Sequence, residues 1–155
     1  QQLAEANPRW TWNWIGSPFW LTFQALHDNN RTLCKAVDPK EYWKLILDLQ
    51  PAIQIVPLYD QPFNRAKSNI AFLEAAYTGA ITVAPDWPEW QKPGIVNYTG
   101  SEDFKRKMQN IITSIEEDSP AIQKQAQEAW DWVLENATLE KVNELRKNIV
   151  TNLVQ

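Results

Sequence analysis

Apolar runs alternate with amphipathic stretches along the first two thirds of the chain. Short runs rich in β-branched and aromatic residues, bounded by glycine, proline and polar clusters, predict strands. Five such runs occupy residues 10–15, 32–37, 53–58, 80–84 and 95–98. The third run shows little polar alternation, which is typical of a strand that is covered on both faces.

Helical periodicity fills the segments between these runs and the last third of the chain. One helix is predicted from residue 38 to residue 50, and a second from about residue 66 or 68 to residue 77. The spacing of Ile70, Leu73 and Tyr77 predicts that they form the buried side of the second helix. Three further helices are predicted to begin near residues 101, 119 and 138, where serine or threonine favours a helix N-cap.

The order of these elements predicts the fold class. Strands that alternate with helices indicate an α/β fold, with a Rossmann-like, mainly parallel sheet of about five strands and helices on both faces. Residues 101–155 are predicted to form a helical C-terminal tail within a single domain of residues 1–155.

Charge and composition exclude several classes of function. Fifteen basic against nineteen acidic residues give a net charge of -4, so the chain lacks the basic surplus with which proteins bind nucleic acid. No apolar run reaches the ~18 residues of a membrane-spanning helix, so no transmembrane segment is predicted. The single cysteine, Cys34, and the single histidine, His27, predict neither a disulfide nor a metal site. A lone cysteine fits a reducing compartment, so we expect a cytoplasmic protein.

Nine tryptophans are many for 155 residues. Trp10, Trp12 and Trp14 alternate, so in a strand they share one face, and we expect helices to cover that face. The alternative is a surface of exposed tryptophans, which a glycan-binding or protein-binding module would use.

In an open parallel sheet, ligands bind beyond the carboxyl ends of the strands. This rule makes the residues just after the predicted strands candidates for a cleft. The candidates are Gly16, Ser17, Asp60, Phe63 and Asp86.

The loop after the third strand carries the most chemistry. It leads into a helix N-terminus, where free backbone N–H groups and two basic side chains favour an anion such as a phosphate or diphosphate. Its polar residues are Asp60, Asn64, Arg65, Lys67, Ser68 and Asn69. The alternative is an ordinary capped helix with two solvated cations.

Glu74 is placed on or beside the predicted buried side of the same helix. A carboxylate there needs a partner, because burying it unpaired is costly. It lies roughly 9 Å along the helix axis from Ser68, at about 1.5 Å per residue. One helix can therefore hold a diphosphate at its tip while Glu74 accepts hydrogen bonds from ribose hydroxyls. The alternative is a glutamate that reaches the rim or pairs with a structural base.

Residues 56–85 have the sequence VPLYDQPFNRAKSNIAFLEAAYTGAITVAP. This segment resembles the donor-binding half of GT-B-fold glycosyltransferases, several of which carry a strand, a PL-D-PFN-AKS loop, an LEA-A-G helix and a strand ending in alanine. The resemblance covers residues 56–98, and it extends through the order of elements from residue 10 to about residue 133.

The resemblance implies a role for several residues. Glu74 corresponds to the second glutamate of the family's Glu-x7-Glu motif, which holds the nucleotide ribose. The segment from Asn64 to Asn69 would lie by the donor phosphates and sugar, with Arg65 and Lys67 neutralising the leaving group. Asp86 and the Trp87-Pro88-Glu89-Trp90 loop would face the same cleft.

By the same resemblance, the chain is the donor-binding domain of an enzyme that transfers a sugar from a nucleotide-sugar to an unknown acceptor. Catalysis in such a fold is mostly positioning and electrostatic stabilisation, so neither a metal nor another cofactor is expected.

The sequence departs from the family pattern in two places. Ala66 stands where the first glutamate of the Glu-x7-Glu motif would fall. The segment that starts at Gln1 resembles the tail of the family's first helix, so we expect a fragment without the first, central strand, its phosphate-gripping loop and the acceptor-binding domain. We therefore expect the chain alone to be inactive. An unfilled strand position would leave backbone edges that favour self-association.

Two other functions remain open from the sequence. One is a different phosphate-handling α/β protein, which would ignore the nucleoside base. The other is a non-catalytic α/β ligand-binding or glycan-binding module that uses the tryptophan-rich surface.

Overall fold

A computed structural model describes residues 2–16 and 31–153 of the chain. These residues divide into two compact units, Gln1–Leu49 and Gln50–Gln155.

The described residues of the first unit, 2–16 and 31–49, form a small parallel sheet and two helices. Helix α1 spans Gln2–Ala6, strand β1 spans Trp12–Ile15, strand β2 spans Arg31–Cys34, and helix α2 spans Pro39–Leu49. The ladder pairs Trp12 with Arg31 and Ile15 with Cys34. Trp12 and Trp14 share one half-buried face of β1, as their alternation predicts.

The second unit is built on three parallel strands. Strands β3 (Ile53–Ile55), β4 (Ile81–Pro85) and β5 (Ile95–Tyr98) pair in the order β3-β4-β5. The central strand β4 is buried at every position. An all-parallel sheet with such a strand needs cover on both faces, because an apolar strand cannot face water.

Helices supply this cover. The short helix α3 (Pro62–Arg65) and helix α4 (Ile70–Thr78) connect β3 to β4, and a 3-10 turn (Pro88–Trp90) lies between β4 and β5. Helices α5 (Gly100–Glu116), α6 (Pro120–Asn136) and α7 (Leu139–Leu153) form the C-terminal tail. In the described parts of the chain, no helix is both long and apolar enough to cross a membrane.

Two contacts place helices on opposite faces of the sheet. The Gln54 side chain of β3 bonds to Glu74 of α4. The Tyr98 ring of β5 packs edge-on against Phe104 of α5, with ring centroids 5.0 Å apart. Gln54 is in register with Ile95, three residues before Tyr98, so the side chains of Gln54 and Tyr98 point to opposite faces. The α/β class, the parallel strands, the two covered faces and the helical tail are therefore as predicted.

The main core lies between the sheet and helices α4 and α6. Its buried members are Val56, Phe72, Ala76, Ala84, Trp90 and Ala129. The loop before β5 approaches α6 closely at Gly94, where a Cβ atom would lie 2.6 Å from the backbone nitrogen of Ala129. Glycine is required there because any side chain would overlap the backbone of α6.

The single five-stranded sheet was a wrong prediction. The part of the chain that the structure describes has five strands, but they make one sheet of two strands and one sheet of three. The strand ladders explain the difference. β1 forms hydrogen bonds with β2, whereas β4 forms hydrogen bonds with β3 and β5, and no ladder joins the two groups of strands in the described residues. The chain, for which the sequence predicts a single domain, divides into two compact units.

The predicted buried side of helix α4 was wrong for two of its three residues, whereas Leu73 packs against the core as predicted. Ile70 and Tyr77 expose 58% and 57% of their surface, whereas Phe72 is fully buried. Ala75 and Ala76 are buried beside it. The side that faces the sheet is thus defined by Phe72 and the two alanines.

Asp103 caps the start of α5 and gives a prediction about acid stability. Its carboxylate accepts a hydrogen bond from the Thr99 backbone N–H at 2.9 Å and lies 2.9 Å from Lys107 Nζ. The Thr99 bond is the main cause that lowers the pKa of Asp103 to about 2, and the Lys107 bond adds to it. A depressed carboxyl pKa stabilises the fold above the ordinary value of 3.8, and this stabilisation is lost as the pH falls through about 2.

We therefore expect Asp103→Asn to lower the urea midpoint at pH 7, and the difference from the wild type to vanish near pH 2. The control is Glu102→Gln, which removes the neighbouring, exposed carboxylate and should change the midpoint little. If Asp103→Asn lowers the urea midpoint by the same amount at pH 7 and at pH 2, the prediction is contradicted.

Candidate functional site

The carboxyl edge of the β3-β4-β5 sheet gathers most of the residues that the sequence singled out. Parallel strands end at the same edge, so the loop from residue 56 to residue 69 after β3 meets the loop from residue 86 to residue 94 after β4. The N-terminus of α4 opens at this edge because a crossover helix runs antiparallel to its strands.

Arg65 joins the two loops. Its guanidinium binds Asp60 through two hydrogen bonds, Nε to Oδ1 at 2.6 Å and Nη2 to Oδ2 at 2.8 Å. The same group lies over the Trp87 ring, 5.3 Å from the centroid. The hydrogen bond from Arg65 lowers the pKa of Asp60, and the pKa of Arg65 is raised in turn. The positive charge of Arg65 is thus compensated within the chain.

Lys67 is differently placed. Its ammonium lies over the Phe63 ring, 5.6 Å from the centroid, and both side chains are exposed. Ser68, the next residue, is exposed as well, and so is the Tyr59 ring. The β3 loop therefore presents a cation, a hydroxyl and aromatic rings to solvent at this edge.

Asn64 has a structural role in the same loop. Its side chain is 8% exposed, and its Nδ2 donates a hydrogen bond of 2.8 Å to the Tyr59 carbonyl oxygen. It sits in helix α3, where the sequence predicted only loop, although Pro62 is a typical first helical residue. The amide of Asn64 thus shapes the loop that carries Arg65 and Lys67.

A carboxylate of the chain occupies the N-terminus of α4. The backbone N–H of Asn69, the N-cap residue of α4, donates a hydrogen bond of 3.1 Å to Glu89 Oε1. Lys92 Nζ lies 3.9 Å from the same oxygen and 5.5 Å from the centroid of the Trp132 ring. The anion at this helix end is thus Glu89 of the chain itself, and the phosphate or diphosphate expected there stays a prediction.

Glu74 lies one turn inside this edge. Its residue is 8% exposed, and Gln54 Nε2 donates a hydrogen bond of 3.3 Å to its Oε2. The prediction that Glu74 is buried and needs a partner agrees with this geometry. Sequence reasoning missed Gln54, although a polar residue inside the apolar run of residues 53–58 was a usable signal.

Asp86 and Tyr98 complete the edge. Asp86 is exposed, and its Oδ1 accepts a hydrogen bond of 2.9 Å from Gln91 Nε2. The Tyr98 hydroxyl donates to the Val56 carbonyl oxygen at 3.1 Å and so ties β5 to the end of β3. Burial raises the pKa of Tyr98, while a backbone hydrogen bond from Leu58 acts in the opposite direction.

The remaining candidates lie elsewhere. Gly16 belongs to the first unit, where its backbone N–H donates to the Cys34 carbonyl oxygen at 3.1 Å. Ser17 is outside the described residues. Trp90, from the predicted cleft loop, is 2% exposed and belongs to the core.

Comparison with protein-family models, with curated proteins and with solved structures finds no match to this chain.

Proposed function

We propose that the chain is the donor-binding domain of a glycosyltransferase, and that it binds a nucleotide-sugar at the carboxyl edge of β3-β4-β5. The observation that carries the proposal is Glu74, a carboxylate that is 8% exposed and one helical turn inside the N-terminus of α4. A helix N-terminus suits a diphosphate, and a carboxylate one turn deeper can accept hydrogen bonds from ribose hydroxyls.

The sequence supports this proposal. Residues 56–85 resemble the donor-binding half of GT-B-fold glycosyltransferases through the PL-D-PFN-AKS loop and the LEA-A-G helix. Within the second unit, the parallel pairing of β3, β4 and β5 brings the ends of β3 and β4 to one edge, which is where open parallel sheets bind ligands.

Each residue then has a chemical task. Glu74 accepts hydrogen bonds from the ribose hydroxyls, and Lys67 with the first N–H groups of α4 faces the diphosphate. Arg65, which already binds Asp60, contributes by holding the two loops together through Trp87. Sugar transfer to an acceptor hydroxyl would leave the nucleoside diphosphate at this edge, where its charge is stabilised.

Tryptophan burial weighs against the glycan-binding alternative. That alternative needs exposed indole rings, and among the tryptophans in residues 2–16 and 31–153 only Trp43 is exposed, at 43%.

The test is calorimetric titration of the chain with UDP, GDP and ADP. We expect one of the three to bind with about millimolar affinity, because the edge supplies only part of a full enzyme's contacts. Glu74→Gln should weaken that nucleotide about 10- to 100-fold, since a hydrogen bond to a charged group contributes roughly 1.5–3 kcal/mol.

The control is Glu128→Gln on α6, which removes an equal charge from a surface carboxylate paired with Lys124. Its affinity should equal that of the wild type. Absence of binding by all three nucleotides to the folded wild-type chain would overturn the proposal.

A further inference from the structure

We propose that Gln54 is a positioning residue, which holds the Glu74 carboxylate in the orientation that accepts hydrogen bonds from a ribose. This inference rests on the proposed function, and it adds a residue that contacts no substrate itself. The supporting contact is the hydrogen bond of 3.3 Å from Gln54 Nε2 to Glu74 Oε2.

Gln54 is an unusual residue for its strand. It stands between Ile53 and Ile55 in β3 and is only partly exposed. Across the sheet it is in register with Thr82, which is in register with Ile95. Of these three side chains, only the glutamine carries N–H donors. An apolar residue at position 54 would continue the apolar run of this strand. The hydrogen bond to Glu74 explains why a glutamine stands there instead.

Both residues lie at the same depth below the carboxyl edge. Glu74 is four residues after Ile70, the first residue of α4, which is about 6 Å along the axis. Gln54 is two residues before Val56, whose N–H still bonds to β4, which is about 7 Å along the strand. The pair is therefore a short distance beneath the place where the proposed diphosphate lies.

The chemistry of an amide suits this task. A carboxylate has about four lone-pair positions, and one amide N–H uses one of them. A lysine or arginine at position 54 would form a charge-assisted pair and hold the carboxylate more strongly. The neutral amide fixes the orientation of the carboxylate and adds no positive charge that would compete with hydroxyl donors.

The test compares ribonucleotides with their 2′,3′-dideoxy counterparts, which lack the hydroxyls that Glu74 would bind. The probes are UDP, GDP and ADP and the three dideoxy forms, titrated by calorimetry. We expect the wild type to prefer the ribonucleotide about ten-fold, as one or two hydrogen bonds to a carboxylate allow. Gln54→Leu should reduce this preference to about two-fold while the affinity for the dideoxy form stays unchanged.

The matched control is Gln123→Leu, because Gln123 also donates to a carboxylate, Asp118 Oδ1 at 2.8 Å, on the helical tail. It should keep the wild-type preference. Gln54→Met, closer to glutamine in shape, replaces Gln54→Leu if the leucine variant does not fold.

The outcomes separate the two proposals. If the wild type binds none of the nucleotides, the proposed function fails and this inference fails with it. If the wild type prefers the ribonucleotide and the Gln54 variants keep that preference, only the positioning role is overturned. If the wild type binds the ribonucleotide and its dideoxy form with equal affinity, nucleotide binding is supported. The ribose contact of Glu74 and the role of Gln54 are then both refuted.

Discussion

Gly94→Ala is expected to lower the free energy of unfolding of the second unit by about 2–5 kcal/mol. Gly94 has a φ of +79°, where an L-residue costs roughly 1–2 kcal/mol. Its new Cβ would lie 2.5 Å from Ala129 Cβ and 2.6 Å from the Gln125 carbonyl oxygen. These atoms belong to or adjoin the backbone of α6, so the overlap adds about 1–3 kcal/mol of overpacking.

Gly79→Ala is the matched control for this change. Gly79 has nearly the same φ, +76°, but a Cβ there would meet nothing within 4 Å. It should therefore cost only the backbone term, about 1–2 kcal/mol. Hydrogen exchange of the β4 amides measures both variants, since it reports on the second unit alone. Equal losses in the two variants would show that the approach of residue 94 to α6 does not matter.

Trp90→Ala is expected to cost about 3–5 kcal/mol, the usual loss when a buried tryptophan or phenylalanine is truncated. The ring is 2% exposed and packs in the core with Phe72, Ala84 and Ala129. Two of these neighbours are alanines, whose side chains are too short to fill the space that the indole would leave.

Trp90→Phe separates volume from polarity. The indole Nε1 of Trp90 is buried without a hydrogen-bond partner among the described residues. Phenylalanine removes this unpaired N–H together with part of the ring, so we expect a loss of less than half that of Trp90→Ala. Phe63→Ala, at an exposed ring, should change stability by no more than about 0.5 kcal/mol. Exchange at β4 again provides the measurement, and a phenylalanine variant as unstable as the alanine variant would contradict this prediction.

Local sequence signals predicted elements better than their assembly. Strand β5 has the predicted bounds, and α6 begins at the predicted Ser119-Pro120 start. Helix α4 could not be oriented from sequence because its nine residues are apolar nearly all round, so periodicity selected Ile70 and Tyr77 instead of Phe72. The division into two sheets depends on which strands meet, which no local pattern encodes.

The candidate site was partly predictable, because some of its residues are close together in the sequence and others are not. Asp60, Arg65, Lys67 and Asn69 fall in one segment, and their approach to the strand edge follows from parallel topology. The contacts of Asn69 with Glu89 and of Glu74 with Gln54 each join residues 20 positions apart. They depend on the packing of α4 against its neighbours, so they became visible only in the folded chain.

The two internal carboxylates at the edge change the meaning of an affinity measured there. Asp60 binds the Arg65 guanidinium and Glu89 accepts from the Asn69 backbone N–H, and the two acidic side chains are 60% and 41% exposed. A phosphate that binds at this edge would have to displace these carboxylates from the N–H donors that they already occupy. The measured dissociation constant would then reflect the difference in binding free energy between the phosphate and the carboxylate that it displaces. Strong contacts to the phosphate would therefore give only a modest measured affinity.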